Sequence, residues 1–283
     1  MTTTKPKRAG VMGWPVGHSL SPRIHGHWLE RYGIAGSYEL LPVEPQDFAA
    51  RLRSLGRDGF AGANVTLPHK EAALATADTA DPVASRMGAA NTLVIDEEGR
   101  VHAFNTDGFG FLEHLRQAQP RWRAAAGPAV VLGAGGAARA VVSALLDAGV
   151  RELRLLNRSH ARAEAIAERF GGIRIETWER RAAALADAAL LVNTTTLGMV
   201  GQPALDLDLT ALPVEAIVYD IVYRPLATPL LAAAAARGNP TVDGLGMLLH
   251  QARPGFAAWF GVEPEVDERL RHHVLAALAE AKA

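Results

Sequence analysis

Lys70, in the stretch NVTLPHKEAA, is the one lysine between Lys7 and Lys282. Of 29 basic residues only Lys5, Lys7, Lys70 and Lys282 are lysines, so the chain keeps an ammonium here where it otherwise writes arginine. An arginine would serve a solvated helix start equally well, but a guanidinium does not give up its proton and an amine does. Lys70 is therefore a candidate for proton exchange. It follows a strand-like run and a proline turn, which sets it at the carboxyl end of a strand, where open α/β sheets bind ligands. Asp107, in FNTDGFG, also ends a strand-like run, and Gly108 frees the backbone beside it. An ammonium and a carboxylate brought to one cleft can exchange a proton with a substrate hydroxyl. Taken alone, Asp107 reads equally as the N-cap of the helix that follows.

Ser19 and Ser21, two apart in GHSLSPRIHGHW, place two hydroxyls on one side of an extended segment and can hold a carboxylate. Ser21 before Pro22 also reads as an ordinary N-cap and first-turn pair. A second signal lies in AVVLGAGGAAR. A β-branched run meets Gly133, Gly135 and Ala138 in G-x-G-x-x-A spacing, and a helix follows. The first glycine permits a tight turn, the second lets backbone approach a pyrophosphate, and helix-start N–H groups face the anion. The next strand ends in NRSHAR, where a unit selecting NAD would offer an acid to the ribose roughly 20 residues past the glycines. Arg158 and Arg162 stand there instead, at i, i+4 spacing that turns both toward one anion, so a 2′-phosphate and hence NADP is expected. The ten histidines show no H-E-x-x-H and poor same-face spacing, so no metal is expected.

The elements that must position these residues follow from apolar periodicity. GVMG, SYELLPV and GANVTL read as strands, with helical patterns in SPRIHGHWLERYG and PQDFAARLRSLG between them, the rhythm of a parallel sheet under helices. NTLVIDEEGRVHAFNT breaks it with two strand-like runs about a turn, so a hairpin and a mixed sheet are expected. After the connector PRWRAAAGP, strand and helix alternate again through ELRLLNR, GIRIE, AALLVNT and AIVYDI, which marks a second domain. The tail, from DGLGMLLHQARPGFAAWFG to VDERLRHHVLAALAEA, reads as two amphipathic helices with no strand. At 283 residues two domains are expected. The 29 basic and 30 acidic residues leave a formal charge of -1, which gives no general attraction to nucleic acid or an anionic membrane. A small-molecule partner is favoured. The absence of cysteine excludes disulfides and thiolate chemistry. With no signal-peptide pattern and no apolar run of roughly 20 residues, a cytoplasmic protein is expected.

Together GHSLSPRIH, GANVTLPHKEAA, GAANTLV, NTDGFGF, LGAGGAARAV, LNRSHARAE, VNTTTLGM and DGLGMLLHQA resemble the shikimate dehydrogenase family, in order, from about residue 10 to the end. The resemblance implies reversible NADPH-linked reduction of 3-dehydroshikimate to shikimate, in aromatic amino acid biosynthesis. It implies two α/β domains. Residues 1–106 and 243–283 would form a mixed-sheet substrate-binding catalytic domain completed by the C-terminal helices, and residues 107–242 a Rossmann-like NADP-binding domain. Lys70 and Asp107 would be the catalytic pair. Ser19 and Ser21 would hold the substrate carboxylate, and Asn64, Thr66, Asn91, Tyr223 and Gln251 would reach the carboxylate or ring hydroxyls. Gly133, Ala134, Gly135, Gly136 and Ala137 would cradle the pyrophosphate. Asn157, Arg158 and Arg162 would meet the 2′-phosphate end, and Ile221, Gly244 and Met247 the nicotinamide side. The chain departs from the common pattern at NTTTLGM, Val222 and Ser159. The family includes quinate-accepting and NAD-using relatives, and the serine pair and the two arginines match the shikimate and NADP types. A quinate-preferring enzyme and a non-catalytic NADP and cyclic-acid sensor are the alternatives, in a monomer or homodimer.

Overall fold

The computed structural model describes residues 6–280. Two compact units make up the chain: one runs to Thr106 and resumes at Leu249, and the other is Asp107–Leu248. The extreme ends of the expected first domain, 1–5 and 281–283, lie outside the described residues.

In the first unit the order is β1 (Lys7–Gly13), α1 (Ser21–Arg31), β2 (Gly36–Pro42), α2 (Phe48–Ser54), β3 (Phe60–Val65) and α3 (Lys70–Thr76). Then come β4 (Thr79–Ala80), α4 (Pro82–Met87), β5 (Thr92–Ile95) and β6 (Val101–Phe104). The strands lie in the order β2-β1-β3-β5-β6-β4. β1 runs parallel to β2 and β3, whereas β5 is antiparallel to β3 and β6, so the sheet is mixed and the hairpin is present. The last five residues of β1 are all buried, the pattern of a strand covered on both faces. One face carries a core that includes Met12, Phe48, Leu52, Phe60 and Leu93.

The second unit contains α5 (Asp107–Ala118), β7 (Ala129–Leu132), α6 (Gly136–Asp147), β8 (Leu153–Leu156), α7 (His160–Phe170) and β9 (Ile173–Glu176). It continues through β10 (Leu190–Asn193), β11 (Ile217–Asp220), α8 (Pro229–Arg237) and β12 (Thr241–Val242). Its strands are ordered β12-β11-β10-β7-β8-β9, and every pair is parallel. Alternate residues serve two cores: Val131, Leu155 and Val192 enter one, and Val130, Leu132, Leu191 and Val218 the other. Successive strands run outward from β7 on one side and from β10 on the other. This is the Rossmann order, and its switch point lies between the carboxyl ends of β7 and β10.

The tail differs from expectation. It forms three helices, α9 (Leu245–His250), α10 (Arg253–Phe260) and α11 (Glu268–Glu280). The break after His250 precedes Pro254, which enters the first turn of α10 and has no N–H to continue a helix from α9. The chain returns to the first unit at Leu249, inside α9 and later than the expected 243, because Met247 still packs against the second unit's core. The two-residue strands β4 and β12 are too short for a periodic signal. Among the described residues, no helix is long and apolar enough to cross a membrane.

Candidate active site

In the first unit, β3 delivers Asn64 near its carboxyl end, and the chain turns through Thr66, Leu67 and Pro68 to Lys70, which opens α3. Backbone contacts hold that turn: Thr66 N–H donates to the Met12 carbonyl (2.9 Å), Trp14 N–H to the Leu67 carbonyl (3.1 Å), and His69 N–H to the Thr66 carbonyl (3.0 Å). Buried His69 adds a side-chain hold, with Nε2 2.7 Å from the Val43 carbonyl and its ring stacked on Phe48 at 4.6 Å. The backbone entering Lys70 is thus tied to the sheet, and Lys70 itself is half-buried.

Antiparallel pairing sets Thr92 opposite Asn64, so β5 brings Asn91 to the same edge. Asn64 Nδ2 donates to the Asn91 carbonyl and to Thr92 Oγ1, both at 3.1 Å. Asn91 Oδ1 accepts from Thr106 N–H at 2.8 Å, and Asn91 Nδ2 lies 3.4 Å from Gln251 Oε1. Thr106 Oγ1 donates to the Gln251 carbonyl at 2.8 Å, which ties the start of the tail to the same group. Asn64, Asn91 and Gln251 therefore form one hydrogen-bonded set, with Thr66 two residues beyond Asn64. Asp107 follows Thr106 directly and opens α5, where a carboxylate suits the positive helix end.

Ser19 Oγ accepts from Ser21 N–H at 3.3 Å. The N-cap alternative for Ser21 is not realised, because α1 begins at Ser21 and Leu20 occupies the cap. Tyr38, which sequence reasoning treated only as part of a strand, donates from its hydroxyl to Asn64 Oδ1 at 2.6 Å, and the Ser21 side chain meets the same phenol. Burial pushes the Tyr38 phenol well above its ordinary pKa. His25 lies flat on the Tyr38 ring, with centroids 3.9 Å apart and planes 2° apart. It is fully buried, and burial lowers its pKa to about 3. Its signal in the sequence is a histidine inside GHSLSPRIHGHW, where spacing speaks only to metal ligation.

In the second unit, Gly133 follows β7 with φ +108, a backbone conformation suited to glycine, and an added Cβ would sit 2.6 Å from Thr194 Oγ1 across the switch point. Gly135 and Gly136 differ: no protein atom lies within 4 Å of a Cβ built on either. Packing within the chain does not require glycine there, whereas a pyrophosphate seated against the backbone would. Gly135 caps α6 without a side-chain bond, which leaves first-turn N–H groups for such an anion. Ala134 and Ala137 flank these glycines.

Asn157 follows β8, and its Nδ2 donates to the Ser159 carbonyl at 2.8 Å. Arg158 and Arg162 are both exposed, and the first turn of α7 carries no acid. They are not an i, i+4 pair on one helix, because Ser159 is the N-cap and Arg158 lies outside it. Past β11, an added Cβ on Gly244 would lie 2.0 Å from the Ile221 carbonyl, so these two backbones are in close contact. Ile221 and Met247 both pack against the same core. Tyr223 lies two residues past Ile221, with its phenol raised by burial and drawn back by Arg224.

A further group escaped the sequence reading. Asp220 is fully buried and accepts from Asn193 Nδ2 (3.0 Å), Val222 N–H (3.1 Å) and Thr228 Oγ1 (2.7 Å), while burial raises its pKa. It ties the loops after β10 and β11 together. No group of three or more acidic or histidine residues among those described is placed to hold a metal.

Residues 11–93 match the family model described as "Shikimate dehydrogenase substrate binding domain", and residues 117–197 match "Shikimate / quinate 5-dehydrogenase". A protein of Paramagnetospirillum magneticum named "Shikimate dehydrogenase (NADP(+))" is 59% identical over 272 residues, covering 96% of this chain and 99% of that protein. Among solved structures, a shikimate 5-dehydrogenase of Thermus thermophilus in complex with NADP(H) and shikimate is 42% identical, with TM-score 0.84 over 96% of this chain and 99% of that one. A quinate dehydrogenase of Corynebacterium glutamicum in complex with NAD is 32% identical, with TM-score 0.90 over the same shares, 96% and 99%.

Proposed function

The chain belongs to the shikimate dehydrogenase family, and from that membership we propose that it is an NADP-dependent oxidoreductase that reduces 3-dehydroshikimate reversibly to shikimate, in aromatic amino acid biosynthesis. The observation that carries this reading is the carboxyl edge of the first sheet, where β3 and β5 join Asn64 and Asn91 in one hydrogen-bonded set and the turn after β3 leads to Lys70 at the start of α3. The first unit is the substrate half in this reading and the second the coenzyme half. Glycine positions 133 to 136, the uncapped start of α6 and the exposed arginines fit a phosphorylated dinucleotide.

When bound, NADPH supplies the hydride for the substrate carbonyl. Lys70 donates the proton that turns the carbonyl oxygen into a hydroxyl, and recovers it from the alcohol in the reverse direction. Asp107 orients the ammonium. Ser19 and Ser21 bind the substrate carboxylate, and Asn64, Thr66, Asn91, Tyr223 and Gln251 fix the ring by its polar groups. Arg158 and Arg162, with Asn157, hold the 2′-phosphate by charge-assisted hydrogen bonds, and a neutral ribose hydroxyl gives no such partner. Ile221, Gly244 and Met247 line the nicotinamide side.

Likeness of shape does not separate shikimate from quinate, since the quinate dehydrogenase superposes as well as the shikimate enzyme. The Ser19 and Ser21 pair and the higher identity to the shikimate enzyme favour shikimate. Appearance of reduced-nicotinamide absorbance on mixing the protein with shikimate and NADP tests the activity. A larger kcat/KM for quinate, or a larger one for NAD, would overturn the corresponding part of the reading. No turnover of either acid would leave the sensor alternative.

A further inference from the structure

Two loops leave the carboxyl edge of the second sheet side by side, one after β10 and one after β11, and a single carboxylate serves both. Asp220, the last residue of β11, is fully buried. Its Oδ1 accepts from Val222 N–H (3.1 Å) just past the strand, and its Oδ2 accepts from Thr228 Oγ1 (2.7 Å) at the far end of the same loop. The loop is stapled at both ends to one side chain. Oδ1 also accepts from Asn193 Nδ2 (3.0 Å), where the loop after β10 begins. The sense of these bonds follows from their surroundings. Val222 N–H can only donate. Asn193 must turn its nitrogen to the carboxylate, because its Oδ1 accepts from Thr195 N–H (3.0 Å). Thr228 caps α8 by accepting from Leu231 N–H (3.3 Å), which leaves its hydrogen for Asp220.

Val222 carries the consequence to the residues read as the nicotinamide side. Its N–H is held by Asp220, and its carbonyl accepts from Gly244 N–H (3.2 Å). Ile221 lies between Asp220 and Val222, with its carbonyl against Gly244. The backbone at Ile221 and at Gly244 is therefore referred to one buried side chain, and Tyr223 follows Val222 directly. Asn157, Arg158 and Arg162 stand past β8, which the strand order sets beyond β7 from β10 and β11.

We propose that Asp220 is a positioning residue for the nicotinamide end of the coenzyme, which fixes Ile221 and Gly244 by closing the loop after β11 and has no part in holding the adenosine end. This rests on the reading of Ile221 and Gly244 as the nicotinamide side of an NADP-linked enzyme. Val222, Asn193 and Thr228 are all buried, so without the carboxylate three donors are left inside the protein lacking an acceptor. They regain partners only if the loop moves toward water. Such movement shifts the nicotinamide against the substrate carbonyl, while the 2′-phosphate keeps its arginines.

The test uses calorimetry on the full-length protein with two ligands, NADP and adenosine 2′,5′-bisphosphate, which keeps the 2′-phosphate and lacks the nicotinamide. kcat with shikimate is measured beside them. Asp220→Leu keeps the size of the side chain and removes every acceptor. It should weaken NADP about five- to tenfold, the value of one hydrogen bond, and leave the bisphosphate unchanged. kcat should fall about 10²-fold, as when a reacting group is misplaced. Asp220→Asn keeps an oxygen for Val222 and Asn193 and turns Nδ2 toward Thr228, whose second lone pair can accept, so it should recover most of both losses. Thr228→Val cuts only the far end of the staple and should show the same split at smaller size, which carries the test if Asp220→Leu does not fold. A merely structural Asp220 would lower Tm and weaken both ligands alike, or neither, and either result overturns the proposal. The binding comparison needs no turnover. A wild-type protein inert toward shikimate would therefore sink the activity reading, while the split between the two ligands still decides the role of Asp220.

Discussion

The substrate side of the first unit and the glycine turn of the second are built by opposite means. Asn64, Asn91, Thr92, Thr106 and Tyr38 hold one another through side-chain hydrogen bonds, several spanning more than a dozen residues of sequence. The turn after β7 is backbone: a glycine at φ +108, two glycines with open space at their Cβ positions, and a helix start without a side-chain cap. A wired site ties chemistry and selectivity to particular side-chain atoms, whereas a backbone site ties binding to the absence of side chains. Substitutions in the first should therefore change rate and choice of substrate, and those in the second coenzyme affinity and stability.

The strongest challenge to this contrast is Lys70→Ala. Acid–base assistance contributes about 10²–10⁴-fold, so kcat should fall by that range while KM for NADP stays put. Near-normal steady-state turnover would remove Lys70 from the chemistry. Lys70→Arg sharpens the point, because it keeps the charge and loses the transferable proton; it should be nearly as slow as the alanine variant. Next in size is the coenzyme choice. Charge-assisted hydrogen bonds are worth about 1.5–3 kcal/mol each, so Arg158→Gln with Arg162→Gln should raise KM for NADP at least about tenfold and leave KM for NAD and for shikimate unchanged. Equal weakening of both coenzymes would assign those arginines to general attraction.

Gly133→Ala should act on the fold as much as on binding. Its Cβ would crowd Thr194 Oγ1, which donates to the Leu132 carbonyl at 2.7 Å and so cannot step aside freely. Positive φ adds strain of about 1–3 kcal/mol. A lower Tm together with weaker NADP binding by calorimetry is expected. Gly135→Ala is the informative partner, since it meets nothing in the protein; it should keep Tm and lose coenzyme affinity. If both variants lose Tm equally, Gly135 serves packing and the contrast between the two glycines fails.

Legibility in the sequence divides along the same line. The strand, glycine turn and helix of the second unit stand within one short window, so local periodicity was enough to read β7 and α6. The antiparallel β5 and β6 were likewise visible, because a turn-rich stretch separated two apolar runs. Lys70 stood out through the rarity of lysine. Asn64, Asn91 and Gln251 came only through family resemblance, because no spacing rule links residues that meet across β3, β5 and the tail. Tyr38 was read only as part of a strand. In SYELLPV a tyrosine counts as packing surface, and its partner Asn64 is 26 residues away. The break between α9 and α10 was missed because apolar periodicity runs on through the segment, even though Pro254 removes the donor that a continuous helix would need.

His25 provides the gentlest probe of the wired side, since it acts on stability and only through acid. In the folded chain burial holds its pKa near about 3, against an ordinary 6.5. Between those values the unfolded chain binds the additional proton, so stability is intact above pH 6.5 and falls as the pH is lowered toward 3. The slope from this one group approaches about 1.4 kcal/mol per pH unit. His25→Phe keeps an aromatic ring on Tyr38 and removes the titration. Wild-type Tm should drop faster than that of the variant as pH is lowered from neutrality toward 5, and the two curves should run parallel above it. Curves that stay parallel throughout would mean that His25 can take its proton in place, and the stack would then be no rigid support for the Tyr38 hydroxyl.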